Sequence, residues 1–314
     1  MDIVSAGEMV IDFLPGDEAG IYIRKAGGAP ANVVIAAARN GLECGFCGRV
    51  GNDDFGRFLF DTLKADGVEV LCPELVRDAI TTMAFVTLNK DGDRSFTFAR
   101  KPGADMFLTR EDVDCARITE AKIVHAGSCS LSRMPASDAT VYAMERAKEA
   151  GCIVSFDVNY RNLLWEDDRE SAAAAVKKIL PLVDLLKISE EETDMVGGED
   201  NLAAMAGANG ISVVVETLGG SGARSFWNNR IISIPGGKSV CVDATGAGDA
   251  FWGCFLATLV KSGVQKPHDL TEDILRRALQ FGNVAGDLCV QKKGAIESLP
   301  KTAEIEAAWK ELYL

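Results

Sequence analysis

The run Val242-Asp-Ala-Thr-Gly-Ala-Gly-Asp-Ala-Phe251 concentrates residues able to do chemistry. Its two glycines let backbone approach a ligand closely. The apolar stretch Ala247 to Lys261 continues it as a helix, whose first N–H groups and positive dipole end point at the same spot. That is an anion-binding turn. A helix cap needs one Asp or Gly, whereas positions 243–249 supply two acids, a Thr and two glycines. Phosphate chemistry is therefore expected, with Asp249 near enough to take a proton from an attacking hydroxyl.

Other candidates cluster elsewhere. Gly27-Gly-Ala-Pro-Ala-Asn32 opens a second helix, with Pro in its first turn, and the Asn32 amide offers two donors and an acceptor to a ligand over the glycines. Asp12 and Asp157-Val-Asn159-Tyr-Arg161 follow strand-like runs, at the carboxyl ends where open α/β sheets bind ligands. Thr217-Leu-Gly219-Gly-Ser-Gly222 also follows a strand; it suits a nucleotide phosphate and equally a plain turn. Three look-alikes fail on context. Gly236-Gly-Lys-Ser239 lacks the first glycine of a P-loop, Asp54-Phe-Gly56 has no companion protein-kinase motifs, and Gly27-Gly28 lacks dinucleotide-binding spacing. Cys44-x-x-Cys47 has no second Cys/His pair at zinc spacing and is expected as two buried strand residues.

Short β-branched runs alternate with longer amphipathic ones from Ile3 onward, the pattern of a mostly parallel sheet with helical crossovers. Strands are expected at Ile3–Ala6, Ile123–Ala126, Ile153–Phe156, Val183–Ile188 and Ser212–Val215. Helices are expected at 30–40, 55–63, 137–150, 169–180, 189–208, 247–261 and 274–290, with Ser189-Glu-Glu-Glu192 as a capping box. Thr82–Leu88 and Arg94–Phe98, around the turn 89–93, predict a hairpin instead. It belongs to a small β-sheet that projects as a lid, built from segments about 12–27 and 80–106 of one domain spanning 1–314.

Composition sets limits. The 314 residues carry 33 Lys plus Arg against 46 Asp plus Glu, a formal charge of −13, and no basic run longer than two, which excludes nucleic acid and anionic membranes as main partners. No apolar run reaches the roughly 18–20 residues of a membrane span. The N-terminus lacks a signal peptide's basic start, so a cytoplasmic protein is expected. Two histidines leave little for His-based chemistry.

Together these motifs resemble the ribokinase-like (PfkB-type) carbohydrate kinases, from Gly7 to about Leu299, through the pair Gly-Gly-Ala-Pro-Ala-Asn at 27–32 and Asp-Ala-Thr-Gly-Ala-Gly-Asp at 243–249. Gly7-Glu-Met-Val-Ile-Asp12-Phe, Ala84-Phe-Val-Thr-Leu, Arg94-Ser-Phe-Thr-Phe-Ala-Arg100 with Gly103-Ala-Asp105, and Lys187-Ile-Ser-Glu-Glu-Glu192 bring it nearest to the fructokinase branch. The resemblance implies a three-layer α/β/α ribokinase-like fold and transfer of the γ-phosphoryl group of ATP to a primary hydroxyl of a hexose, with fructose foremost. It implies Asp249 as the base and the N–H groups of Gly246, Ala247 and Gly248 around the phosphoryl charge. Asp12, Gly28, Asn32, Phe98, Arg100, Asn159 and Arg161 would hold the sugar. Lys187, Thr217, Gly219, Gly222 and Asn283 would hold ATP together with Gly246 and Gly248. Glu190 would order Mg²⁺ through water, and Asp243 and Thr245 would begin a site for a monovalent cation, usually K⁺. Two departures stand out: Lys187 replaces the Asn of ribokinases themselves, and Asp-Val-Asn-Tyr-Arg replaces the commoner Asp-Pro-Asn-Leu-Arg.

The nearest alternative substrate is the sugar acid 2-keto-3-deoxygluconate, whose carboxylate Arg100 or Arg161 would meet. A nucleoside is disfavoured by the 7% aromatic content. A different class is a catalytically inactive sugar-sensing relative, against which the intact Asp249 and glycines argue. Lid strands have edges that need covering, so a homodimer joined through the lid is expected.

Overall fold

Successive residues of the short apolar runs go to opposite faces of one sheet. Ile3, Ile123, Ile153, Leu185 and Val213 enter one buried cluster, while their neighbours Val4, Val124, Val154, Leu186 and Val214 enter the other. A strand buried on both faces must be covered by helices on both, which gives three layers. The computed structural model describes residues 1–16, 18, 20–88, 94–113 and 115–314, with 88, 94–96, 115 and 116 described by backbone alone.

In chain order these residues form β1 (Ile3–Ala6), β2 (Val10–Pro15), β3 (Tyr22–Gly27), α1 (Ala29–Arg39), β4 (Cys44–Cys47), α2 (Asp54–Ala65), β5 (Glu69–Val70), β6 (Met83–Leu88), β7 (Arg94–Ala99) and α3 (Cys115–Glu120). Then follow β8 (Ile123–Gly127), α4 (Ala136–Glu149), β9 (Ile153–Asp157), α5 (Arg169–Ile179), β10 (Leu185–Ser189), α6 (Leu202–Asn209) and β11 (Val213–Thr217). Last come β12 (Gly222–Trp227), β13 (Arg230–Pro235), α7 (Ala247–Lys261), α8 (Glu272–Cys289) and α9 (Thr302–Tyr313).

The large sheet has the order β13-β12-β11-β10-β9-β8-β1-β4-β5 and is parallel from β11 to β5. The chain leaves β1 toward β4 on one side and returns to β8 on the other. The resulting switch point opens a crevice at the strands' carboxyl ends. Helices α1, α2, α7 and α8 cover one face; α4, α5 and α6 cover the other. This is the ribokinase-like fold that the resemblance implies. A second sheet, β3-β2-β6-β7, is antiparallel except where β2 meets β6. Its β6–β7 pair is the expected hairpin, although the turn at 89–93 lies outside the described residues.

Three features depart from expectation. The edge of the large sheet is an antiparallel hairpin, β12–β13, turned by Asn228 and Asn229 at φ 48 and 59. The helix expected over 189–208 is broken into 3₁₀ turns and α6, because Gly197 and Gly198 adopt φ 120 and 93. The capping box at Ser189 nonetheless forms, with the Ser189 N–H donating to Glu192 Oε2 at 2.8 Å. Helix α9 was not anticipated; it buries Ile305 and lays Trp309 against Phe281 on α8, 5.1 Å between rings. Cys44 and Cys47 are buried strand residues on opposite faces, and Cys47 Sγ faces Cys72 Sγ at 3.4 Å. No described helix is long and apolar enough to cross a membrane.

Helices α1 and α7 touch through Gly253, where a Cβ would lie 2.5 Å from both the Val33 carbonyl oxygen and Ala36 Cβ. Gly207 on α6 has nothing within 4 Å of such a Cβ. Gly253→Ala is therefore expected to destabilise by about 1–3 kcal/mol through overpacking. Gly207→Ala stabilises by about 0.4–1 kcal/mol through the unfolded chain. Urea unfolding midpoints check the opposite signs; equal shifts would sink the close-contact account.

Candidate active site

The 243–249 run builds its turn from its own side chains. Asp243 Oδ1 accepts from the Thr245 N–H at 2.9 Å and hydroxyl at 2.6 Å, and Oδ2 accepts from the Gly294 N–H at 3.0 Å. Gly246 then takes φ 80, with Ala295 so near that a Cβ would sit 3.1 Å from its Cα. Helix α7 begins at once. The Ala247 N–H turns back to the Ala244 carbonyl at 3.3 Å, so of the three expected anion-hole donors it is the one already engaged. The N–H groups of Gly246 and Gly248 have no acceptor among the described residues.

Asp249 is buried in this first turn, and its two oxygens accept from two amides: Asn32 Nδ2 at 2.7 Å and Asn159 Nδ2 at 3.1 Å. Asn32 comes from α1; Asn159 follows β9 in a left-handed conformation, φ 37. A carboxylate so held points at the crevice and can accept a proton from a hydroxyl bound there.

Lys187 on β10 reaches the same turn. Its Nζ donates to Asp157 Oδ2 at 2.8 Å and lies 3.3 Å from where a Cβ on Gly248 would be. Burial works against the Lys187 charge, but Asp157, Glu192 and Asp249 outweigh it and hold the ammonium above its ordinary range. Burial raises the Asp157 carboxyl, against the pull of the Lys187 ammonium bonded to it. A buried cation thus stands over the helix N-terminus.

Two cavities meet here. The first, about 600 Å³, is lined by Asp12, Gly28, Asn32, Phe98, Asn159 and Arg161, all of them expected around a sugar, and by Glu8, Lys187, Glu192 and Asp249. The second, about 290 Å³, is lined by Thr217, Gly219, Gly222 and Asn283, all expected around ATP, and by Gly236, Gly237 and Ser239. The segment rejected as a P-loop therefore does border this second cavity, just past the end of β13. Thr217, Ala244 and Gly248 line both cavities. A larger hollow of about 1090 Å³, between α6 and the β12–β13 hairpin, holds none of the expected residues.

Arg100 is the exception among the expected sugar contacts. Its guanidinium binds Asp105 through Nε at 3.0 Å and Nη2 at 2.7 Å, and Nη1 donates to Ser132 and to the Leu164 carbonyl, so it braces the cleft from behind and does not line it. Arg161 extends into the cleft, with a bond from Nη1 to the Tyr160 carbonyl at 3.2 Å. Glu190 is exposed and outside the cleft lining; Glu192 lines it, its carboxylate accepting from the Tyr160 N–H at 2.6 Å and the Ser189 N–H at 2.8 Å. Glu8 and Glu192 were missed as cleft residues, although the first sits in the quoted Gly7-to-Asp12 motif and the second in the capping box. Asn283 donates to the Ile234 and Pro235 carbonyls and so holds β13 beside the groove.

Comparison with known proteins places the chain in a family. Fructokinase-1 of Zea mays is 39% identical over 315 residues, covering 96% of this chain and 96% of that protein. The crystal structure of fructokinase with bound ATP from Xylella fastidiosa superposes with a TM-score of 0.92 at 32% identity, covering 100% of this chain and 99% of that one. The structure of fructokinase from Vibrio cholerae O395 in its fructose, ADP and calcium ion bound form gives 0.87 at 35% identity over 98% of each chain. Residues 2–302 match the pfkB family of carbohydrate kinases, and the chain belongs to that family: it is a sugar kinase.

Proposed function

We propose that this kinase transfers the γ-phosphoryl group of ATP to a primary hydroxyl of fructose. The junction of the two cavities carries the reading, because Thr217, Ala244 and Gly248 border both and Asp249 stands on the sugar side. In this mechanism Asp249, steadied by Asn32 and Asn159, takes the hydroxyl proton as the oxygen attacks. The free N–H groups of Gly246 and Gly248, the helix dipole and Lys187 face the phosphoryl charge. Gly219, Gly222 and Thr217 take the ATP phosphates, and Asn283 the adenine side.

Mg²⁺ would arrive on the nucleotide, neutralising phosphate charge while keeping most of its waters. Glu190, exposed and lining neither cavity, would reach such a hydrated ion only through water. Buried Asp243 and the Thr245 hydroxyl are hard oxygen donors of the kind K⁺ accepts. A sugar acid fits less well, since Arg100 is spent on Asp105 and the cleft confronts Arg161 with Glu8, Asp12 and Asp249. An inactive sensor has no need of a carboxylate held between two amides. We also propose a cytoplasmic homodimer. Strand β3 edges the small sheet and leaves Tyr22 and Ile23, with neighbouring Ile21, 44–49% exposed, a surface that a second copy would cover.

Loss of the base costs about 10² or more in rate. Asp249→Asn should therefore remove fructose-dependent ADP release while leaving the unfolding midpoint near wild type; near-full turnover would refute the assignment. Burial holds the Asp12 carboxyl up at about 7 against the pull of Arg161, with Glu297, Asp243 and Asp249 adding to the rise. Its ionised form accepts more hydroxyl hydrogen bonds than its protonated form, so KM for fructose should rise as pH falls through that range. Asp12→Asn should blunt the rise, and a KM flat between about pH 8 and 6 argues against the contact. For the dimer, light scattering should give twice the chain mass for wild type and a lower mass for Tyr22→Asp; a wild-type monomer excludes it.

A further inference from the structure

We propose that Glu8 contacts the sugar and selects a neutral polyol over a sugar acid, an inference that rests on the fructose reading and deepens it. Glu8 lies just past β1, at the sheet's switch point. Gly28, at φ 113, packs directly over it: a Cβ there would fall 2.6 Å from the Glu8 carbonyl oxygen and 2.8 Å from Met9 Cα. The Glu8 backbone is thereby held beneath the start of α1, and the residue, only 4% exposed, lies in the cleft wall with Asp12 and Arg161.

Its hydrogen bonding is incomplete. Glu8 Oε2 is buried and has no partner among the described residues. Three other acids around the cleft are provided for: Asp249 by two amides, Glu192 by two backbone N–H groups, Asp105 by Arg100 and Thr82. The nearby guanidinium of Arg100 is taken up by Asp105, Ser132 and Leu164. Burial pushes the Glu8 carboxyl up to about 7; its own N–H opposes that rise, Asp105 adds to it, and Arg100 and Arg161 oppose it.

A buried carboxyl short of a donor seeks one from the ligand. A sugar brings several hydroxyl donors. The ionised carboxylate of a sugar acid brings none, and in this cleft it would lie against the carboxyl groups of Glu8, Asp12 and Asp249, with Arg161 the cleft-lining guanidinium on offer.

Two variants separate contact from architecture. Losing a hydrogen bond to a charged group costs about tenfold or more in affinity. In a coupled ADP assay, Glu8→Ala should thus raise KM for fructose about tenfold, with KM for ATP and the unfolding midpoint close to wild type. Glu8→Gln keeps an acceptor but drops the charge; it should raise KM for fructose less and strengthen inhibition by 2-keto-3-deoxygluconate several-fold, about the worth of one like-charge contact. An unchanged fructose KM in Glu8→Ala overturns the inference, as does a parallel rise of both substrates' KM values with lost stability, or unaltered sugar-acid inhibition in Glu8→Gln. Wild-type turnover of fructose is measured first: its absence overturns the fructose reading and this inference together, whereas the variant outcomes bear on Glu8 alone.

Discussion

Two amides grip the carboxylate of Asp249, and the fold is arranged around that grip. Asn32 arrives on α1 and Asn159 on the loop after β9, elements that meet only in the folded chain. The α1 contribution depends on how closely α1 approaches α7, which the missing side chain of Gly253 permits. The β9 contribution depends on a left-handed Asn, a conformation that asparagine tolerates better than most residues. Packing in the core and aim at the site are thus one property. A shift of either helix moves the proposed base relative to its hydroxyl, and phosphoryl transfer is sensitive to such displacements.

Net charge gives no hint of this site. A chain with formal charge −13 can receive a polyanion because the receiving charge is local. Free N–H groups at Gly246 and Gly248 and the dipole of α7 cost no titratable residue. Lys187 does cost: its desolvation is offset by Asp157, so the pair is nearly neutral from afar and cationic only where Nζ overlooks Gly248. Beneath the pair, burial and Lys187 drive His125 down to about 3, and this neutral imidazole shares the Ser155 hydroxyl with Trp252, at 3.0 and 2.9 Å. The support is polar yet uncharged.

The legible parts of the sequence were those governed by neighbours in the chain. β1 and α7 occur at their expected limits because a doubly buried strand leaves an uninterrupted apolar run, and an apolar helix opened by two glycines is hard to mistake. The turn at 243–246 was legible for the same reason, since Asp243, Thr245 and Gly246 shape it within a few residues. The break at Gly197-Gly198 is local too, but the acidic and apolar spacing around it still looked helical. The β12–β13 hairpin was missed because its alternation is short and its turn is Asn-Asn, without glycine.

Side-chain partners obey a different logic. Asn32 and Asp249 are 217 residues apart, and no spacing rule connects them. The two arginines make the point most sharply. Arg100 and Arg161 are the same residue type in equally suggestive motifs, yet one is consumed by Asp105 and the other extends into the cleft. That division, set by tertiary pairing, determines how much positive charge the ligand meets. Reaction type lives in backbone-built features and can be seen from a motif. Substrate class lives in which charges remain unspent after folding, and it becomes visible only when every buried donor and acceptor has been matched.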